Sequence, residues 1–313
     1  MDAVVIRDSQ LHFETREDPV PGDTELLVAV RAAGLNSADL MQRLGLYPAP
    51  PGWPVDIPGM ELAGEVVAAG RQVTQFAVGD RVMAVVGGGA QATLAVVDES
   101  HAMAVPADLP WPEAGGFPEA YWTAFDALFT RGELKMGERV LVTGAAGGVG
   151  TAGVQLGAAA GAVVVATVRD AARHAEVTSL GAAVVIDPTD VGAHGPYDVV
   201  LELVGAASLP DVLPHLAAEA RVVVIGVGSG AKIDLNLLGL MSARARIGAA
   251  TLRARTRREK ANVAAAVSAH VLPLLASGRV RVPVCETFPL SEATAAYERF
   301  SGGGKLGKVV LVN

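Results

Sequence analysis

Chemistry is written most densely in the segment Arg139-Val-Leu-Val-Thr-Gly-Ala-Ala-Gly-Gly-Val-Gly-Thr151. A short apolar run ends in a glycine cluster, and a small-residue helical pattern follows from Thr151 to Ala160. A strand, a tight turn and a helix N-terminus in that order make a site for a nucleotide pyrophosphate. Glycines let backbone N–H groups approach the phosphates, and the helix dipole favours their charge. The spacing Ala145-x-Gly147-x-x-Gly150 is the dinucleotide fingerprint with alanine in the first glycine position.

The next strand selects the dinucleotide. An NAD site places an Asp or Glu at its tip, about 20 residues past the glycines, to accept bonds from the ribose hydroxyls. Here the strand ends Ala166-Thr167-Val168-Arg169, with no acid at the tip. Arg169 can make a charge-assisted contact with a 2′-phosphate, and Arg173, one helical turn on, can join it. Asp170 sits where a helix N-cap is needed before Ala171. The spacing therefore predicts NADPH, with Thr167, Arg169 and Arg173 beside its adenosine end.

Elements that could hold such a site follow from texture. The 313 residues are enough for two domains with full cores, and 51% hydrophobic against 19% charged residues fits a folded chain. The start Met1-Asp-Ala-Val-Val-Ile-Arg-Asp8 has neither part of a signal peptide, so a cytoplasmic location is expected. A net charge of −8 argues against nucleic acid as a partner. The single cysteine, Cys285, excludes an intramolecular disulfide and any zinc site built from several thiolates. It reads as a small buried hydrophobe. The basic run Arg253–Lys260 reads as a solvated helix start.

The first ~110 residues alternate turn punctuation (Pro50-Pro51-Gly52, Pro58-Gly59, Gly87-Gly-Gly89) with short strand-like runs, the pattern of an irregular β domain. From about Pro112 a helix over Glu113–Leu128 leads into alternating strands and helices. Strands are expected at 139–143, 162–168, 183–186, 198–203, 221–225 and 245–251, and helices at 171–180, 206–216 and 257–277. Valine-rich strands with helical crossovers predict a parallel, doubly wound sheet. β-like runs at 280–284 and 308–312 are expected to rejoin the N-terminal domain. The resulting division is residues 1–112 completed by 254–313, with a Rossmann domain at 113–253.

The chain resembles the zinc-independent quinone oxidoreductases of the medium-chain dehydrogenase/reductase superfamily, the group that includes zeta-crystallin. The resemblance rests on Gly34-Leu-Asn-Ser-Ala-Asp39, Gly45-Leu-Tyr-Pro48, Pro58-Gly-Met-Glu-Leu-Ala-Gly64, Val78-Gly-Asp-Arg-Val82, Pro118-Glu-Ala-Tyr-Trp-Thr-Ala124, Thr143–Gly150 and Gly307-Lys-Val-Val310, in order along almost the whole chain. It implies an α/β fold: a GroES-like, β-rich catalytic domain beside the Rossmann domain, with the active site in the cleft between them. It also implies Thr123 near the nicotinamide, Ala146, Gly147, Gly148 and Val149 on the pyrophosphate, and Gly226, Val227, Thr251 and Leu252 in loops beside the nicotinamide. Lys308 is either a cofactor contact or a surface lysine.

In zinc-dependent relatives a Cys begins the segment matching Asn36–Asp39, and a His precedes the Glu matching Glu61. This chain has Asn36 and Met60, whose amide and thioether are poor zinc partners. Without a Lewis acid to stabilise an alkoxide, alcohol oxidation is disfavoured. Hydride delivery to a quinone or a conjugated alkene or carbonyl is what remains, helped by hydrogen-bond donors near the acceptor oxygen. Asn36 and Tyr47 are the candidates, with Asn36 also placed to orient the nicotinamide or its ribose. Tyr47 resembles the suspected proton donor of enoyl thioester reductases, and its other reading is a cleft-lining aromatic. Rival functions are an enoyl thioester reductase and a non-enzymatic NADPH-binding protein of crystallin or sensor type. The apolar strand expected at 245–251 reads as a sheet edge that needs covering, and the resemblance implies that this edge pairs across a two-fold axis, so a homodimer is expected.

Overall fold

The computed structural model describes residues 1–313 and divides them into two compact units, Met1–Glu119 with Leu252–Asn313, and Ala120–Thr251. In chain order the strands are β1 (Asp2–Arg7), β2 (Gln10–Thr15), β3 (Glu25–Gly34), β4 (Glu61–Ala69), β5 (Arg81–Val85), β6 (Leu94–Asp98) and β7 (Ala102–Ala104). Then come β8 (Arg139–Val142), β9 (Val163–Thr167), β10 (Val184–Ile186), β11 (Tyr197–Glu202), β12 (Leu216–Val224) and β13 (Arg246–Ala249), followed by β14 (Val284–Pro289) and β15 (Lys308–Val312).

The first unit is built on a mainly antiparallel sheet in the order β14-β15-β3-β4-β5-β7, with β6 also paired to β3 and β1-β2 a separate hairpin. β15 pairs antiparallel with β3, Val310 opposite Gly34, so the end of the chain completes the N-terminal sheet. Strand β3 alternates buried Leu26, Val28 and Val30 with less buried neighbours, the two-residue period of a half-covered sheet. Its core gathers these with Leu62, Val66, Val82 and Ala84.

The second unit is a six-stranded sheet in the order β10-β9-β8-β11-β12-β13, parallel throughout. Its central strands bury Val140–Val142, Val164–Ala166 and Val199–Leu201 on both faces, as crossover helices require. The architecture is therefore the expected one, a GroES-like β unit and a Rossmann-type α/β sheet. No helix is long and apolar enough to cross a membrane.

Prolines account for most departures from the expected elements. The helix expected over Glu113–Leu128 is broken into Trp111–Gly116, Pro118–Phe125 and a π-turn at Asp126–Arg131. Pro118 lacks an amide hydrogen and disfavours a helical residue before it. Pro273 likewise divides 257–277 into Arg257–His270 and Leu272–Ala276. Pro210 and Pro214 reduce 206–216 to the short turns Leu209–Val212 and Leu213–His215. The strand expected at 280–284 starts only at Val284, after Pro283, which cannot donate to a ladder.

Candidate active site

In the Rossmann-type unit, the segments 143–149, 167–169 and 226–227 lie at or just beyond the carboxyl ends of β8, β9 and β12. β8 ends at Val142 and the chain turns through Thr143–Gly147 into the helix Gly148–Ala159. Gly147 is the N-cap and supplies no side-chain cap, so the first-turn N–H groups, Val149 among them, face a bare helix end. A Cβ built on Gly147 meets only Gly144 O, at 3.5 Å. Gly150 is different: a Cβ there would lie 2.5 Å from Gly144 O and 2.7 Å from Ala145 Cα. Only glycine lets this helix approach the turn so closely. Ala145 N donates to Thr167 O at 3.0 Å and Gly144 N to Thr167 Oγ1 at 3.3 Å, which fixes the glycine turn to the tip of β9.

Arg169 follows that tip, exposed and without an ion pair or hydrogen bond. Asp170 turns away from it, its Oδ1 accepting from Ala172 N at 3.1 Å as an N-cap. Arg173 is engaged by Glu176 at 3.0 Å and lies 3.9 Å from Asp170. A carboxyl absent from the sequence reading organises the neighbouring loop. Glu202, fully buried, accepts from Thr143 Oγ1, Val204 N, Gly205 N and Ser208 Oγ at 2.7–3.1 Å. Gly226 and Val227 follow β12, with Val227 exposed; Thr123 is buried on its helix, Thr251 is exposed and Leu252 buried. The bare helix end, the open space at Gly147 and the free Arg169 fit a phosphorylated dinucleotide.

The GroES-like unit holds the polar cluster. Lys308 Nζ is buried and donates to Leu35 O at 2.8 Å, Asn36 Oδ1 at 2.7 Å and Glu61 Oε1 at 2.5 Å. Lys308 is thus no surface lysine: its side chain is 3% exposed, and that of Glu61 is fully buried. Asn36 Nδ2 donates to Glu61 Oε1 at 2.9 Å and to Gly34 O at 3.3 Å, so both ends of its amide are engaged. Glu119 N donates to Glu61 Oε2 at 2.9 Å. Asp39 accepts from Asn36 N at 2.7 Å and Gly59 N at 3.2 Å. Burial raises its carboxyl to about 6, against the pull of these bonds and of Lys308. Burial likewise pushes Glu119 up to about 8, with the like charge of Glu61 adding to it.

Tyr47 lies beside this cluster. Its phenol is pushed up by partial burial and then by Glu119, with Arg253 opposing. Its backbone O accepts from Arg253 Nη1 at 2.8 Å, and the guanidinium stands 5.1 Å from its ring centroid. Arg253 also donates to Gly87 O at 2.9 Å and Gln42 Oε1 at 2.6 Å. Arg253 and Lys260 are therefore buried, 4% and 3% exposed, and the expectation of a solvated basic run is corrected. The helix begins only at Arg257, and Lys260 shares its inward face with Val263, Ala264 and Val267. That i, i+3, i+4, i+7 spacing is the signal that marks Lys260 in the sequence. A cavity of about 660 Å³ lined by Met1, Thr15, Arg16, Glu17 and Ile57 lies apart from these residues.

The zinc donor set of the superfamily does not fit here. Asn36 offers its oxygen to an ammonium, a cation that repels a dication, and Met60 is a buried thioether.

Comparison with known proteins agrees with both halves. Residues 22–107 match the alcohol dehydrogenase GroES-like domain, and residues 180–311 match a family described as zinc-binding dehydrogenase. The chain is 32% identical to a pig quinone oxidoreductase over 308 residues, 94% of this chain and 91% of the relative. It is 31% identical to the human quinone oxidoreductase over the same shares. The structure of Escherichia coli quinone oxidoreductase complexed with NADPH superimposes with a TM-score of 0.88 at 26% identity, covering all of both chains. The bare helix end after β8, the Glu61–Lys308 cluster and these full-length likenesses lead to one conclusion: the chain belongs to the quinone oxidoreductase family of the medium-chain dehydrogenase/reductase superfamily.

Proposed function

We propose that this enzyme transfers hydride from NADPH to a quinone or another conjugated alkene or carbonyl acceptor, without zinc. The observation that carries the cofactor is Arg169, exposed and unpaired at the tip of β9 while Asp170 is occupied as an N-cap. An Asp free at that tip would repel a 2′-phosphate, whereas a free guanidinium attracts it. Arg173 contributes by loosening from Glu176, and Thr167 positions the glycine turn. Thr123, Ala146, Gly226, Val227, Thr251 and Leu252 complete the set proposed to contact the cofactor.

When bound, NADPH supplies the hydride; the chain supplies position and electrostatics. Asn36, held by Lys308 and Glu61, presents a fixed amide segment, and through Asn36 Lys308 bears on the cofactor indirectly. Tyr47 offers a hydroxyl near the acceptor oxygen, with Arg253 holding its backbone. A homodimer through β13 is part of the proposal. This edge strand pairs only with β12, and the nearby helix Leu237–Ala243 exposes Leu237, Leu238 and Met241 at 64–72%. A small-molecule acceptor and a cytoplasmic setting complete it.

The test is a binding titration of Arg169→Ala. NADPH affinity is expected to fall by at least about tenfold, the scale of one charge-assisted contact, with NADH affinity within about twofold. Equal losses for both dinucleotides would refute the assignment of Arg169.

A further inference from the structure

We propose that Lys260 binds the acceptor's carbonyl oxygen and stabilises the negative charge that builds on it, a catalytic role resting on the reductase reading above.

The structure buries three cationic side chains in the GroES-like unit, and it treats one of them differently. Lys308 has three oxygen acceptors and Arg253 has three. Lys260 is equally buried along its length, at 3% exposure, yet its ammonium has neither a hydrogen-bond acceptor nor an ion-pair partner in the protein and is not among the fully enclosed polar atoms, so its tip alone reaches solvent. A lysine with its stem packed in the protein and only its ammonium open to solvent presents an unclaimed cation at a fixed place. Such a group persists where a ligand or solvent oxygen meets it.

Its surroundings say what kind of ligand. Lys260 Nζ lies 5.9 Å from the ring centroid of Trp53. Trp53 stands on Gly87, where a Cβ would fall 2.5 Å from its Cδ1, so that position has room for the indole only as glycine. Gly87 O and Tyr47 O are both held by Arg253. One guanidinium thus anchors the supports of two aromatic rings, Trp53 and Tyr47. Glu119 joins the group, near enough to both Lys260 and Tyr47 to act on them once it is ionised. With its carboxyl pushed up to about 8, it is neutral at pH 7 and leaves the ammonium unclaimed. Two aromatic rings and an unclaimed ammonium suit a planar conjugated carbonyl. Hydride addition brings two electrons to a quinone, the carbonyl π pair moves onto oxygen, and a hydroquinone monoanion results beside Lys260. One proton from water then completes the hydroquinone, and the nicotinamide donor leaves oxidised. Lys260 donates a hydrogen bond that strengthens as the charge builds and ends with its proton.

The test compares wild type, Lys260→Met and Lys260→Arg, each checked for folding by circular dichroism. With a quinone that wild type reduces, Lys260→Met is expected to lower kcat by about 10²–10³-fold with KM within about threefold, the signature of an interaction made in the transition state. Lys260→Arg should recover to within about tenfold, and NADPH affinity should not move in either variant. A second arm needs no turnover: 4-nitrophenol, whose phenolate mimics the hydroquinone anion, is titrated spectroscopically. Wild type should bind it as the coloured phenolate, and Lys260→Met as the colourless phenol. An unchanged kcat in Lys260→Met, or equal phenolate binding in both proteins, overturns the proposal. A wild type that reduces no acceptor counts against the reductase reading, and the nitrophenol titration then decides the role of Lys260 by itself.

Discussion

Replacing Lys308 by Met removes a charge while keeping the volume of the side chain, and its cost follows from what is left behind. Glu61 is fully buried, and its Oε1 receives both the Lys308 ammonium and Asn36 Nδ2, while Oε2 receives Glu119 N. Without the lysine the carboxyl keeps its two amide donors and loses its counter-charge. Leu35 O and Asn36 Oδ1 also lose their donor. Breaking a buried pair from one side costs about 3–5 kcal/mol. For a unit of this size each kcal/mol is worth roughly 2–4 °C, so the GroES-like unit should melt roughly 6–20 °C lower. The assay is thermal unfolding followed by circular dichroism and by Trp53 and Trp111 fluorescence, because two units need not melt together. Adding Glu61→Gln should recover much of the loss, since no uncompensated charge then remains. A shift under about 2 °C, or a double variant less stable than Lys308→Met alone, would refute the reasoning.

Three further outcomes follow from the same structure. Glu119 carries a folded pKa of about 8 against an ordinary 4.5, so folding takes up a proton between those values. Stability should therefore fall as pH rises from 5 to 8, by an amount on the order of 4 kcal/mol. Glu119→Gln should flatten most of that slope in denaturant titrations, Asp39 at about 6 keeping a smaller one of the same sign; a slope unchanged by the variant contradicts the assignment. Gly150→Ala drives a Cβ against Gly144 O and should cost roughly 1–3 kcal/mol of stability and at least about tenfold in NADPH affinity, read by calorimetry. Tyr47→Phe should abolish reduction of an enoyl thioester, if wild type shows any, while largely sparing quinones; a collapse of quinone turnover would make the phenol a required proton donor.

The two groups of candidate residues, one in each unit, differ in how far the sequence discloses them. The group proposed for the dinucleotide is local. A valine run, glycines at fixed spacing and the residue at the next strand tip lie within about 30 residues, and backbone geometry ties them together. Gly150 and Asp170 accordingly sit in the roles their neighbours in sequence require. The group in the GroES-like unit is assembled from far apart: Lys308 meets Asn36 and Glu61, and Arg253 meets Gln42, Tyr47 and Gly87. Charged residues normally face water, so a basic run such as Arg253–Lys260 reads as solvated until its partners are known. Lys260 alone left a local trace, in the apolar stripe it opens. Helix ends were legible only as far as proline chemistry was weighed, which is why Pro118 and Pro273 divide elements that hydrophobic periodicity runs together.

The most direct test of the central claim is NADPH oxidation, followed by its absorbance, over a panel of small quinones and conjugated enones with NADH in parallel. Turnover of at least one acceptor is expected, with kcat/KM for NADPH at least about tenfold above that for NADH. Tight NADPH binding with no acceptor reduced, or equal use of both dinucleotides, would contradict it.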